Sequence, residues 1–73
     1  MKTLDDYTVV VAPNDETTWW AYVPALAGCH ALGDTAEEAR RELTGVFEAF
    51  VEIYEEDGRE LPVDVRELIP VAS

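Results

Sequence analysis

The chain has 73 residues, with 16 acidic side chains against five Lys and Arg, for a formal net charge of −11. That balance excludes direct binding to nucleic acid or anionic lipid, which needs clustered cations, and favours a basic partner. With 48% hydrophobic residues the chain is globular, yet at this length one core is only marginally sufficient, so oligomerisation or docking is expected.

The single Cys29 rules out an internal disulfide and fits a reducing compartment. Residues 1–6 contain no apolar leader-like run, and no stretch approaches the length of a membrane span. The expectation is a cytoplasmic protein forming one domain over residues 1–73, with no separate DNA-binding domain.

In chain order, residues 7–12 (YTVVVA) are rich in β-branched side chains and predict a strand. Pro13, Asn14 and Asp15 are turn residues, and the run to Thr18 makes a hairpin loop. Residues 19–23 (WWAYV) form the return strand, ended by Pro24, which has no amide to donate to a ladder. A short connection through Leu26 and Gly28 leads to a third strand at residues 29–32, and Gly33 and Asp34 turn the chain into a helix.

Residues 34–58 form one long amphipathic helix around which the rest is organised. Ala36, Ala39, Leu43, Val46, Phe47, Phe50, Val51 and Tyr54 recur in steps of three and four, while Glu37, Arg40, Arg41, Glu48, Glu52 and Glu55 occupy the opposite face. Thr35 with Glu38 has capping-box spacing, and Gly58 supplies a left-handed closing residue. Gly45 costs about 1 kcal/mol in a helix interior, and close packing against another backbone is its expected reason. Glu52, Glu55, Glu56 and Asp57 gather negative charge at the end where the helix dipole favours cations; this is either a solvated face or the meeting point with a basic partner. A last strand is expected within residues 65–71. The fold class is α+β, with a β-β-β-α-β order and one helix on one face of a small antiparallel sheet.

Strand side chains alternate between faces. Ala21, Val23, Cys29 and Ala31 suit the side under a helix, which sends Trp20, Tyr22, His30 and Leu32 to the other. An open sheet face normally carries polar groups, so these rings and Leu32 call for the sheet to curl over them or for another polypeptide to cover them.

The run from Trp20 through Tyr22, Val23, Pro24, Leu26, Gly28 and Cys29, then Gly33-Asp34-Thr35 and Glu38-Ala39, resembles the HicB family of antitoxins. The family pattern is an aromatic-rich strand, a P-x-L-P-G-C-like corner, and G-D-T-x-E-E-A opening a long helix. Ala27 stands where the family usually has proline. The resemblance covers residues 7–62 and implies a partial ribonuclease-H-like fold that binds and blocks HicA, a small basic toxin that cleaves messenger RNA. Many members add a DNA-binding segment; this sequence has no basic helix, so control of an operator is not expected of it alone.

Ribonuclease-H-like enzymes hold two metal ions between carboxylates that begin on the first strand, and residues 7–12 contain none. Cys29 and His30 are adjacent, so on a strand their side chains diverge and do not make a nucleophile–base pair. No second His or Cys completes a metal site. The expectation is a non-enzyme without catalytic, metal or cofactor residues. Its partner-binding residues are expected to be Trp20, Tyr22 and Leu32 as apolar anchors, His30 as a surface or interface residue beside them, and Asp15, Glu16, Glu52, Glu55 and Glu56 meeting cations. Two rivals are an orphan homo-oligomeric domain with no toxin and a residual nuclease.

Overall fold

The computed structural model describes residues 2–65. A 3-10 turn at Leu4–Asp6 precedes strand β1 (Val10–Pro13), strand β2 (Trp19–Tyr22), strand β3 (His30–Gly33) and helix α1 (Ala36–Glu56). The strands form an antiparallel sheet in the order β1-β2-β3, and α1 lies across one face, chiefly over β3 and β2. This α+β arrangement is compatible with the partial ribonuclease-H-like fold implied by the resemblance. The expected last strand at residues 65–71 lies, apart from Val65, outside the described residues.

Strand limits differ by a few residues from those expected, each for a local reason. β1 starts only at Val10, because the Thr8 amide donates to the Asp64 carboxylate and not to a strand neighbour; just before it, Tyr7 turns inward. Its ring meets Phe47 edge-on at 5.6 Å, and its hydroxyl donates to the Pro62 carbonyl. β3 starts after Cys29 because the Cys29 amide donates to the Leu26 carbonyl at 3.0 Å, closing the corner. The same corner buries Leu26, so the connection is part of the core.

The core lies between the sheet and α1. Ala21, Val23, Cys29 and Ala31 are buried under Ala39, Leu43 and Phe47, with Leu4 and Tyr7 closing one side. This is the face assignment that strand alternation predicts. Full burial of a side chain the size of Leu43 or Phe47 contributes about 1.5–3 kcal/mol, which makes the helix the main source of cohesion.

Both helix ends are closed locally. Thr35 is extended and its hydroxyl accepts the Glu38 amide at 3.0 Å, satisfying one of the free donors of the first turn. At the other end Gly58 adopts φ 68°, the Arg59 amide donates to the Tyr54 carbonyl at 2.9 Å, and the Gly58 amide to that of Glu55 at 3.1 Å. This pair of bonds is a Schellman motif. The Arg59 guanidinium then sits 4.6 Å from the centre of the Tyr54 ring and 3.0 Å from Asp57.

Two glycines depart from expectation. Gly33 is the last residue of β3 rather than only a turn residue, and a methyl group there would stand 2.5 Å from the Ala39 amide nitrogen. The close backbone approach expected at Gly45 therefore occurs at Gly33. Gly45 itself is exposed, and a methyl group there would meet nothing within 4 Å. The reason is phase: Gly45 is two residues from Leu43, about 200° around a helix with 3.6 residues per turn, and so points away from the sheet.

Candidate partner-binding surfaces

Cross-strand register builds the open face in two rows. Val10 pairs with Tyr22 and Tyr22 with His30; Ala12 pairs with Trp20 and Trp20 with Leu32. These six side chains point away from α1, since their neighbours Ala21 and Ala31 are buried beneath it. The Trp20 and Tyr22 rings lie along one strand at 4.3 Å with a 30° tilt, and His30 meets Trp20 edge-on at 6.5 Å. Leu32 is 53% exposed. Trp20, Tyr22, His30 and Leu32, grouped from the sequence, thus share one face of the sheet.

The adjacent Cys29 and His30 part as alternation requires, Cys29 into the core and His30 to the surface. Burial pushes the Cys29 thiol up, away from the reactive thiolate. Among the described residues no three His, Cys, Asp or Glu side chains are grouped to hold a metal ion.

The acidic residues fall elsewhere. Asp15 and Glu16 are exposed in the β1–β2 loop. One Asp15 carboxylate oxygen accepts from the amides of Thr17 and Thr18 at 2.9 and 2.8 Å and from their hydroxyls at 3.2 and 2.8 Å. The amide of Thr17 and the hydroxyl and amide of Thr18 hold this carboxyl below its ordinary range. Asp15 therefore shapes the loop, in keeping with its expected place among the turn residues. Glu52, Glu55 and Glu56 are exposed on the last turns of α1, where no basic residue accompanies them.

These groups do not converge. The helix covers one face of the sheet and the aromatic patch occupies the other, so the carboxylates of α1 and the rings of β2 belong to opposite layers.

A groove of about 550 Å³ opens between α1 and the N-terminal turn. Leu4, Phe47 and Val51 line it with Glu48, Glu52 and Glu55, while Lys2 and Arg40 also border it. Sequence reasoning missed this feature because it gave residues 1–6 no structural role. The available signal was Thr3 followed three residues later by Asp6, whose carboxylate accepts the Thr3 amide at 2.7 Å and fixes the turn that buries Leu4.

The architecture is an acidic two-layer domain with an apolar patch on one face of its sheet, and comparison with known proteins gives its family. The family model described as HicB-like antitoxin of bacterial toxin-antitoxin system matches residues 7–71. The chain belongs to this HicB-like antitoxin family, whose members are generally binding proteins rather than catalysts and imply a toxin as partner. It is 37% identical over 51 residues to the UPF0150 protein ssr1765 of Synechocystis sp., covering 70% of this chain and 65% of that relative. The match thus spans just under two thirds of that relative's length. It is also 37% identical over 57 residues to the UPF0150 protein ssl0259 of the same organism, covering 78% of each. With the UPF0150 protein Ta0767 of Thermoplasma acidophilum it shares 31% identity over 65 residues, covering 89% of this chain and 94% of the relative. No solved structure matches the chain. No helix among the described residues is long and apolar enough to cross a membrane.

Proposed function

We propose that the protein, acting as one cytoplasmic domain and without catalysis of its own, neutralises a small basic HicA-type toxin by covering its RNA-cleaving surface. Membership in an antitoxin family supports the role, and the charge of −11 supports the class of partner. A toxin that grips messenger RNA must present cations to phosphates, and an acidic domain competes for that same surface.

The observation that carries the reading is the row of Glu52, Glu55 and Glu56 on the last turns of α1. These carboxylates stand in the negative end of the helix dipole with no basic residue in that turn. Such an arrangement costs stability in the free protein and is relieved when a cationic surface arrives. Glu16 at the tip of the β1–β2 loop adds to the acidic surface, and Asp15 contributes through the loop shape it maintains.

Co-expression with the product of the neighbouring open reading frame tests this directly. The expected result is a stable complex, with cell growth and messenger RNA preserved only when both chains are made. A neighbouring product that neither binds this chain nor is harmful alone overturns the reading in favour of an orphan domain.

A further inference from the structure

The groove between α1 and the N-terminal turn combines an apolar floor with an acidic border. Leu4, Phe47 and Val51 form the floor, and Glu48, Glu52 and Glu55 border it along α1. We propose that this groove seats one amphipathic helix of the basic toxin, with its apolar stripe on the floor and its Lys or Arg side chains on the three glutamates. The inference rests on the antitoxin reading for the identity of the partner and deepens it by naming where that partner docks.

Charge selects the occupant. The two cations that border the groove are already engaged: Arg40 is 3.5 Å from Asp5, and the Lys2 ammonium stands 5.3 Å from the centre of the Tyr7 ring. Glu48, Glu52 and Glu55 take no part in the ion pairs among the described residues. They follow one another in steps of four and three, which makes them neighbours on one stripe, where like charges destabilise a helix. Water alone could solvate such a row, but it would gain nothing from the open apolar floor beside it. A helix carrying both cations and apolar side chains satisfies the two features together.

Shape points the same way. The α1 side of the groove runs from Arg40 to Glu55. That is about 22 Å at about 1.5 Å per residue, the length of about four turns of a second helix and more than a small ligand needs. Along the axis of α1 the three glutamates are spaced by about 6 Å and then about 4.5 Å, steps that Lys or Arg on a facing helix can match. An extended segment repeats its same-side groups every ~6.6 Å and is out of step by the third carboxylate. An antiparallel partner also brings its positive N-terminal end against Glu55, in the negative end of the α1 dipole.

Fluorescence anisotropy on the full chain tests the seat with a defined probe. The probe is a fluorescein-labelled peptide of about 18 residues, Leu and Lys placed in steps of three and four so that a Leu stripe adjoins a Lys stripe. A scrambled peptide of the same composition carries the same charge without the stripe. The striped peptide is expected to bind at least about tenfold more tightly than the scrambled one. Glu48→Lys, within the groove, is expected to weaken it at least about fivefold at low salt. Glu56→Lys makes the same change of charge on the same helix but outside the groove, and should cost less than about twofold. Both residues are exposed, so circular dichroism should show the fold retained in each variant.

Equal affinity for the two peptides would reduce the contact to general Coulomb attraction and overturn the proposal, as would equal effects of the two substitutions. A groove filled by another segment of this chain or by a second copy would show as failure of the striped peptide to bind, which also overturns it. Capture of the neighbouring gene product separates this inference from the reading beneath it. A toxin held as tightly by the Glu48→Lys variant as by wild type removes the groove and leaves the antitoxin standing. A product held by neither removes the antitoxin reading itself, and with it the toxin as occupant.

Discussion

The amide and the hydroxyl of Thr8 both donate to the carboxylate of Asp64, each at 2.8 Å, across 56 positions of chain. Asp64 is 2% exposed, the buried charged residue among the described positions. Together with the Tyr7 hydroxyl on the Pro62 carbonyl, this contact fastens the segment after α1 to the entrance of β1. Asp64→Ala strands the half-buried Thr8 donors and is expected to cost about 1–3 kcal/mol. Urea unfolding followed by tryptophan fluorescence measures it, and an unchanged midpoint would refute the role assigned to this contact.

Gly33→Ala is expected to destabilise the protein by about 1–3 kcal/mol, since the added methyl group forces the start of α1 away from β3. Thermal melting is the measurement. A variant as stable as the parent would mean that the two backbones separate without cost.

Gly45→Ala is expected to act in the opposite sense, raising stability by about 0.5–1 kcal/mol, because nothing lies near the added carbon and alanine restricts the unfolded chain. A lower melting temperature would contradict the outward placement of this residue.

Asp15 gives the β1–β2 loop a pH dependence with a definite sign. Its carboxyl lies below the ordinary value in the folded loop, so the ionised form is the one the loop holds. The stabilisation is complete above the unfolded value of about 3.9 and is lost as pH falls through the lower folded value. Amide exchange at Thr17 and Thr18 should therefore accelerate in that acidic window, and Asp15→Asn should remove the pH dependence. Equal protection of both amides above and below the window would rule the mechanism out.

Reversing Glu52, Glu55 and Glu56 to Lys should slow association with the basic partner by about tenfold or more at low ionic strength, with a smaller effect in concentrated salt. Stopped-flow binding separates the on-rate from the off-rate. An on-rate that does not change removes the end of α1 from the encounter surface.

How legible the molecule was in its sequence depends on the range of the interaction concerned. α1 was readable because its periodicity, Thr35 and Gly58 are all local signals, and each appears in the structure in the predicted role. The two faces of the sheet followed from alternation alone, which placed Trp20, Tyr22, His30 and Leu32 together and Cys29 beneath the helix. Asp64 was not readable: among 16 acidic residues nothing local marks the one that meets Thr8. Leu4 was missed because one apolar residue in a short turn has no periodicity. Gly45 was a different kind of miss, since the helical phase that correctly oriented Leu43 and Phe47 also pointed this residue outward.

Strand order in the sheet follows strand order in the chain, and the helix that covers the sheet comes next in sequence. Each pairing is therefore closed by a short excursion, and the entropy lost in bringing partners together is small at every step. Among the described contacts, the fastenings of Asp64 to Thr8 and of Tyr7 to Pro62 span most of the polypeptide. A topology of this kind belongs with the quick mixed α/β folders, reaching its native form in about milliseconds. The delay before binding-competent protein accumulates is then set by how fast ribosomes deliver it, not by how fast it folds.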